Sequence, residues 1–317
     1  MLTIIGSIFS LLLGAGILLV GIGLLGTLLA VRAGVEHFSD PITGVVMSAY
    51  FLGFAAGTYV CPALIRRVGH IRAFAAMAAV ASAAAIGHAL LVHPVVWAVL
   101  RAITGACMVG LYMVVESWLN VLAPRQRRGQ IFALYVAVTL VALALGQFLI
   151  LVGDVDEFMP FGIAAALLSL ALVPIALTRV TQPESVEAPE LGLRHLYRLS
   201  PLGTLGALVA GLVSGAFWGM GPLYAYRVGL SDLSVAGFMA TTIIGGALLQ
   251  WPIGHLSDHH DRRTVLTVVC LLGAVLAVPI GQAAPVPPGL CLARCLPSRR
   301  LPFPVYRFTV APLTRNA

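Results

Sequence analysis

The sequence predicts an all-α membrane protein, built as two helical bundles joined by a polar linker. Three observations carry this prediction. The 317 residues are 60% hydrophobic and only 10% charged, with mean hydropathy +0.99, whereas a soluble domain carries about 25% charged residues. Apolar runs of about 20 residues recur, each long enough to cross a bilayer core. The segments on either side of a hydrophilic stretch at 179–200 also resemble each other, as duplicated bundles do.

Helix 1 is expected over 3–30. It is rich in glycine, which lets helices approach closely in lipid. It is too long for a signal peptide and has no small-residue cleavage site. A polar connection from Arg32 to Pro41 leads to helix 2, 42–64. The basic loop Arg66-Arg67-Val-Gly69-His-Ile-Arg72 precedes an alanine-rich helix 3, 73–92. His93-Pro94 turns the chain into helix 4, 95–119. Arg125, Arg127 and Arg128 form a second basic loop before helix 5, 130–152. An acidic connection with Asp154, Asp156 and Glu157 leads to helix 6, 159–177. Four segments result: a six-helix bundle at 1–178, a hydrophilic linker at 179–200, a partial bundle at 201–284, and a tail at 285–317 rich in Pro and Arg. The partial bundle holds helices at 201–224, 235–252 and 264–282. Beyond Gln282 no run of about 18 residues is apolar and free of Arg and Pro. That tail reads as the mark of a frameshift or truncation, or else as a genuine exposed tail.

The net charge is +7, and all nineteen basic residues are arginine. They cluster in the loops between helices, which speaks for membrane topology rather than nucleic-acid binding. One set of alternate loops holds eleven: Arg66, Arg67, Arg72, Arg125, Arg127, Arg128, Arg179, Arg194, Arg198, Arg262 and Arg263. The other set holds Arg32 and Arg227. The first set is therefore expected in the cytoplasm, with the N-terminus, and the acidic loop at 154–157 outside. The five cysteines lack metal-ligand spacing; Cys61, Cys107 and Cys270 are expected to serve packing.

The two halves share spaced residues. Arg32-Ala-Gly34 matches Arg227-Val-Gly229 at a spacing of 195; Gly44 and Gly53 match Gly237 and Gly246 at 193. Arg66-Arg67-Val-Gly69 falls opposite Asp258-His-His-Asp261 at 192. The stretch Gly254-His-Leu-Ser-Asp258-His-His-Asp261-Arg262-Arg263 reads as a tight loop. Gly254 would allow close helix approach, and Asp258 would accept N–H bonds at the next helix start.

Two ionisable residues lie inside an expected span, Arg101 and Glu116, both on helix 4. A charge in lipid costs roughly 2.5–3.5 kcal/mol on insertion scales, so such residues face a cavity or a partner. Arg101 could also reach the outer interface along its stem. Fifteen residues separate the two, about 22 Å at about 1.5 Å per residue, so they cannot pair within one helix. Glu116 could pair with Arg66 or Arg128, or carry a proton. Gln147 could line a cavity or bond to a neighbouring helix. Trp218, Tyr224 and Trp251 could line a solute path or belong to interfacial aromatic belts.

The pattern G-x-L-x-D-x-x-D-R-R over Gly254–Arg263 resembles the inter-helix gating signature of the major facilitator superfamily. His259 and Asp261 replace the family's basic residue and glycine. In the first half Pro62 and Arg66 replace the signature Gly and Asp, which puts gating by that loop in doubt. Arg101-Ala-Ile-Thr-Gly105 resembles the family's R-x-x-x-G on helix 4. Glu116-Ser-Trp118-Leu-Asn120, followed by a basic loop, resembles the YcaD-like branch. Leu145-Gly146-Gln147-Phe148 lacks the kink proline of drug/proton antiporters, which speaks against antiport and leaves symport or uniport open. The resemblance implies an MFS-type bundle and alternating-access transport of a small solute. It also implies a monomer in a bacterial inner membrane, with H⁺ as coupling ion and no cofactor, metal or nucleic acid. Arg101, Glu116, Gln147 and Trp218 are its coupling or substrate candidates; Gly254, Asp258, Asp261, Arg262 and Arg263 form the gating motif. With three helices in its second bundle, a chain of this sequence would not transport alone. Two other readings stand beside transport: a membrane-embedded enzyme, whose activity would be sensitive to chelators, and a non-functional remnant of a transporter gene.

Overall fold

The computed structural model describes residues 2–177 and 197–282. The tail 285–317 and most of the linker 179–200 lie outside the described residues, as do the side chains of Trp251, Asp258, Arg262 and Arg263. Every regular element among the described residues is helical. The first unit holds α1 (Leu2–Val35), α2 (Asp40–Val68), α3 (His70–Leu90), α4 (Pro94–Leu122), α5 (Arg128–Phe148) and α6. The last comprises Phe158–Leu170 and, after a break at Ala171, Leu172–Ala176. Pro174 explains the break, because its ring crowds the carbonyl of residue 170 and it has no N–H to offer. The second unit holds α7 (Pro201–Arg227), α8 (Asp232–His259) and α9 (Arg262–Gln282). The first eight of these are long and apolar enough to cross a membrane. In α9 the described apolar stretch is Thr264–Val275.

Helix starts follow capping chemistry. His93 accepts from Val95 N at 3.3 Å, with Pro94 at the first helical position. Ser200 accepts from Gly203 N at 3.2 Å ahead of Pro201, and Ser231 from Ser234 N at 3.4 Å. These bonds satisfy amide groups that a helix start leaves open. Helix ends run past the apolar windows: α1 to Val35, α2 to Val68, α8 to His259. Hydropathy marks where the lipid core stops, not where the backbone stops hydrogen-bonding to itself.

The repeat is real in the backbone, but in one register rather than three. At the end of α1, Glu36, His37 and Phe38 donate to Arg32, Gly34 and Ala33. At the end of α7, Val228, Gly229 and Leu230 donate to Tyr224, Tyr226 and Ala225. Both ladders are Schellman-type caps, with positive φ at His37 (55°) and Gly229 (80°). Every pair is 192 apart. So are the N-caps Ser39 and Ser231 and the helix starts Asp40 and Asp232, or His70 and Arg262. Gly229 thus corresponds to His37, not Gly34, and Gly53 to Gly245, not Gly246. The glycine matches at 195 and 193 are corrected by this. Glycine is so frequent in membrane helices that it aligns by chance, whereas a cap fixes the phase.

Within the first unit α2 packs on α4, α1 on α5 and α6, and α3 on α4 and α6. The α2–α4 crossing is made of small residues. A Cβ at Gly53 would run into the carbonyl of Ala102, and one at Gly105 into the carbonyl of Tyr50. One turn on, a Cβ at Gly57 would meet Ala106 O at 2.8 Å. In the second unit α8 contacts both α7 and α9.

Candidate functional site

Arg101 sits on α4 at 7% exposure and is the one buried arginine among the described residues. The nearly backbone-to-backbone crossing at Gly105 and Gly53 brings α2 over it. The Tyr50 ring consequently covers its guanidinium, 4.5 Å from ring centroid to carbon. No described side chain or carbonyl accepts a hydrogen bond from Arg101, and Nε is buried without a partner. A cation–π contact is worth roughly 0.5–2 kcal/mol, and an arginine at a helix centre costs roughly 2.5–3.5 kcal/mol even on the gentler insertion scale. Tyr50 therefore offsets only part of the cost. Arg32 shows the contrast: it pairs with Glu36 at 2.5 Å and donates to Val155 O at 3.2 Å. Arg32 is tied into the fold, and Arg101 is not.

The same helix carries Tyr112 and Glu116. Positions eleven and fifteen residues after Arg101 fall within about 60° of it around an α-helix, so all three share one side of α4. Phe54 of α2 meets Tyr112 with ring centroids 6.3 Å apart. From α5, the Tyr135 hydroxyl donates to Glu116 Oε1 at 3.4 Å. Glu116 has no arginine within ion-pair distance among the described residues; Arg128 instead donates to Asn120 Oδ1 at 2.9 Å. The string Glu116–Asn120 thus divides its tasks. Ser117 donates back to Val114 O at 3.0 Å, and Trp118 is fully buried, its ring beside His70. Glu116 is exposed, as is Asn120, and among the described residues only its Oε1 has a hydrogen-bond partner. Tyr112 is legible from helical spacing. Tyr50 and Tyr135 carry no such signal, because only the packing of α2 and α5 on α4 brings them in.

Gln147 is engaged inside the bundle at 2% exposure. Its Oε1 accepts from the Thr27 hydroxyl, and its Nε2 donates to Gly23 O at 3.1 Å and Leu143 O at 3.2 Å. This network locks α1 to α5, so Gln147→Leu is expected to lower stability by about 1–2 kcal/mol. Thermal unfolding of the purified variant beside Thr27→Val checks it; additive losses would show the two are not coupled. Trp218 lies half-buried on α7 beside Phe217, centroids 5.4 Å apart.

The gating motif is not a ten-residue loop. Positions 254–259 are the last turns of α8, and only His260 and Asp261 link it to α9. The helix start is capped by Asp261, whose Oδ2 accepts from Thr264 N at 3.1 Å and its hydroxyl at 3.2 Å. Asp258 was expected there, but its backbone belongs to the preceding helix. A Cβ at Gly254 would meet nothing within 4 Å among the described residues, so no close approach needs this glycine. The side chains of Asp258, Arg262 and Arg263 lie outside the described residues. Among those described, no three His, Cys, Asp or Glu side chains gather as metal ligands would.

A family model described as Major Facilitator Superfamily matches residues 6–296. A protein of Escherichia coli O7:K1 (strain IAI39 / ExPEC) described as an uncharacterized MFS-type transporter YcaD is 31% identical over 280 residues, 87% of this chain and 73% of that protein. A Shigella flexneri protein of the same description matches equally. Among solved structures, a variant of the nucleoside transporter NupG superposes with TM-score 0.81 at 11% identity, over 98% of this chain and 83% of that one. A bacterial homolog of the human lysosomal transporter Spinster, inward-facing and occupied, gives 0.74 at 16% identity, over 95% and 72%.

Proposed function

The chain belongs to the major facilitator superfamily, and from that premise we propose a proton-coupled secondary transporter of a small solute, with both working charges on α4. It is a multi-pass membrane transporter; the coupling and the residues are the proposal. The observation that carries it is Arg101, a guanidinium held at 7% exposure with no acceptor among the described residues. A cation kept in that state serves something that comes and goes. Glu116, on the same side of α4 and hydrogen-bonded among the described residues only to a tyrosine, is the group suited to take and release the proton. Family members place such sites at the bilayer midplane and move two bundles around them. The test is uptake of radiolabelled solutes of each charge class into proteoliposomes under an inward proton gradient, by a version whose second bundle is extended to six helices; the 317-residue chain alone is expected to show none. Saturable uptake abolished by a protonophore supports the reading; failure of every class to accumulate contradicts it.

We further propose that the chain sits in a bacterial inner membrane with its basic loops and N-terminus in the cytoplasm. The support is the arginine asymmetry and the exposure of Arg127 and Asp156 in opposite loop sets. In intact cells, a cysteine replacing Asp156 is expected to react with an impermeant maleimide, and one replacing Arg127 to stay unlabelled. The reverse pattern would invert the topology.

A further inference from the structure

We infer that the solute is an organic anion with a carboxylate head and an apolar, preferentially aromatic, body. This rests on the transport reading above and names what its site would take. The guanidinium of Arg101 offers five N–H donors in one plane. The Tyr50 ring, 4.5 Å away, engages the charge but supplies no lone pair. Nε is buried and unpartnered, and no carboxylate lies near among the described residues. A planar fork with unspent donors matches a planar carboxylate, which it can hold through two parallel hydrogen bonds. A cationic solute would be repelled, and a neutral one would leave the charge uncompensated. The neighbouring surface is aromatic: Tyr50 and Phe54 lie 6.2 Å apart by centroid, and Phe54 and Tyr112 lie 6.3 Å apart. These rings are partly exposed, so they can receive an apolar body while Arg101 holds the head. An anion that arrives with the proton proposed for Glu116 also crosses with no net charge.

The test uses purified full-length chain in lipid nanodiscs and a series that varies only the head group: benzoate, benzamide, benzyl alcohol and benzylammonium, extended by lactate and indole-3-acetate with their amides. Binding is read by intrinsic tryptophan fluorescence and by the thermal unfolding midpoint. Carboxylates are expected to raise the midpoint, with at least tenfold tighter binding than their amides. Arg101→Gln is expected to lose that preference while keeping its ligand-free midpoint, and Arg101→Lys to retain a weakened form of it. Equal binding of acid and amide, preference for benzylammonium, or no binding by any member overturns the inference. Uptake of a neutral or cationic solute without carboxylate binding overturns it too, and leaves the transport reading standing. Carboxylate binding without uptake of any solute would instead support this site and count against transport.

Discussion

In a version whose second bundle is extended to six helices, Arg101→Ala is expected to abolish solute uptake while membrane abundance stays near normal. The reason both halves hold is that Arg101 contributes little to the fold. It makes no hydrogen bond or ion pair among the described residues, and its Tyr50 contact is worth roughly 0.5–2 kcal/mol. Removing the side chain also removes the cost of a buried charge. If the residue holds a charged group of the solute, its loss costs roughly 2–5 kcal/mol, about 30- to several thousand-fold in affinity. Arg101→Lys keeps the charge but not the planar fork, so partial activity is expected. Quantitative immunoblotting beside the uptake assay separates the alternatives. Disappearance of the protein would assign Arg101 to folding.

Gly105→Ala is expected to be among the most damaging methyl additions in the chain. The new Cβ would collide with the Tyr50 carbonyl, a backbone atom that cannot rotate away. α2 and α4 would have to separate along their whole contact, where Gly53 is equally tight and Gly57 nearly so. A loss of about 3 kcal/mol, the upper end for overpacking, is expected. Gly44→Ala on α2 is the control, since a Cβ there meets nothing within 4 Å. That change should be neutral or mildly stabilising, because alanine suits a helix better than glycine. Thermal unfolding of both variants in detergent checks the pair; similar midpoints would show the crossing is not close-packed. Tyr50 would lose its place over Arg101 in Gly105→Ala, so fold and site should fail together.

How much could be read beforehand follows from where each signal lies. Spans were legible because hydropathy is a property of a continuous stretch, and Arg101 and Glu116 stood out as charges within one. The lengthened ends of α1, α2 and α8 were not legible, because polar residues continue a helix that lipid does not require. That is also why Asp258 was expected to cap α9, when Asp261 does so. The partner of Arg101 was out of reach: Tyr50 is far away in sequence and its role is created by Gly53 and Gly105 facing each other. Gln147 admitted two readings until Thr27 and Gly23 were seen opposite it. The duplication itself was visible, but its phase came from the caps at His37 and Gly229 rather than from shared glycines.

The central claim is that α4 carries both the solute-binding cation and the coupling carboxylate, and one comparison tests it most directly. Glu116→Gln and wild type, both in a version whose second bundle is extended to six helices, are reconstituted in proteoliposomes and assayed for proton-driven accumulation and for solute exchange at equal pH on both sides. Glutamine keeps the side chain's shape and its contact with Tyr135 but cannot release a proton. The variant is expected to exchange solute at near wild-type rates while losing accumulation under a proton gradient. Gradient-driven accumulation by Glu116→Gln equal to wild type would contradict the assignment.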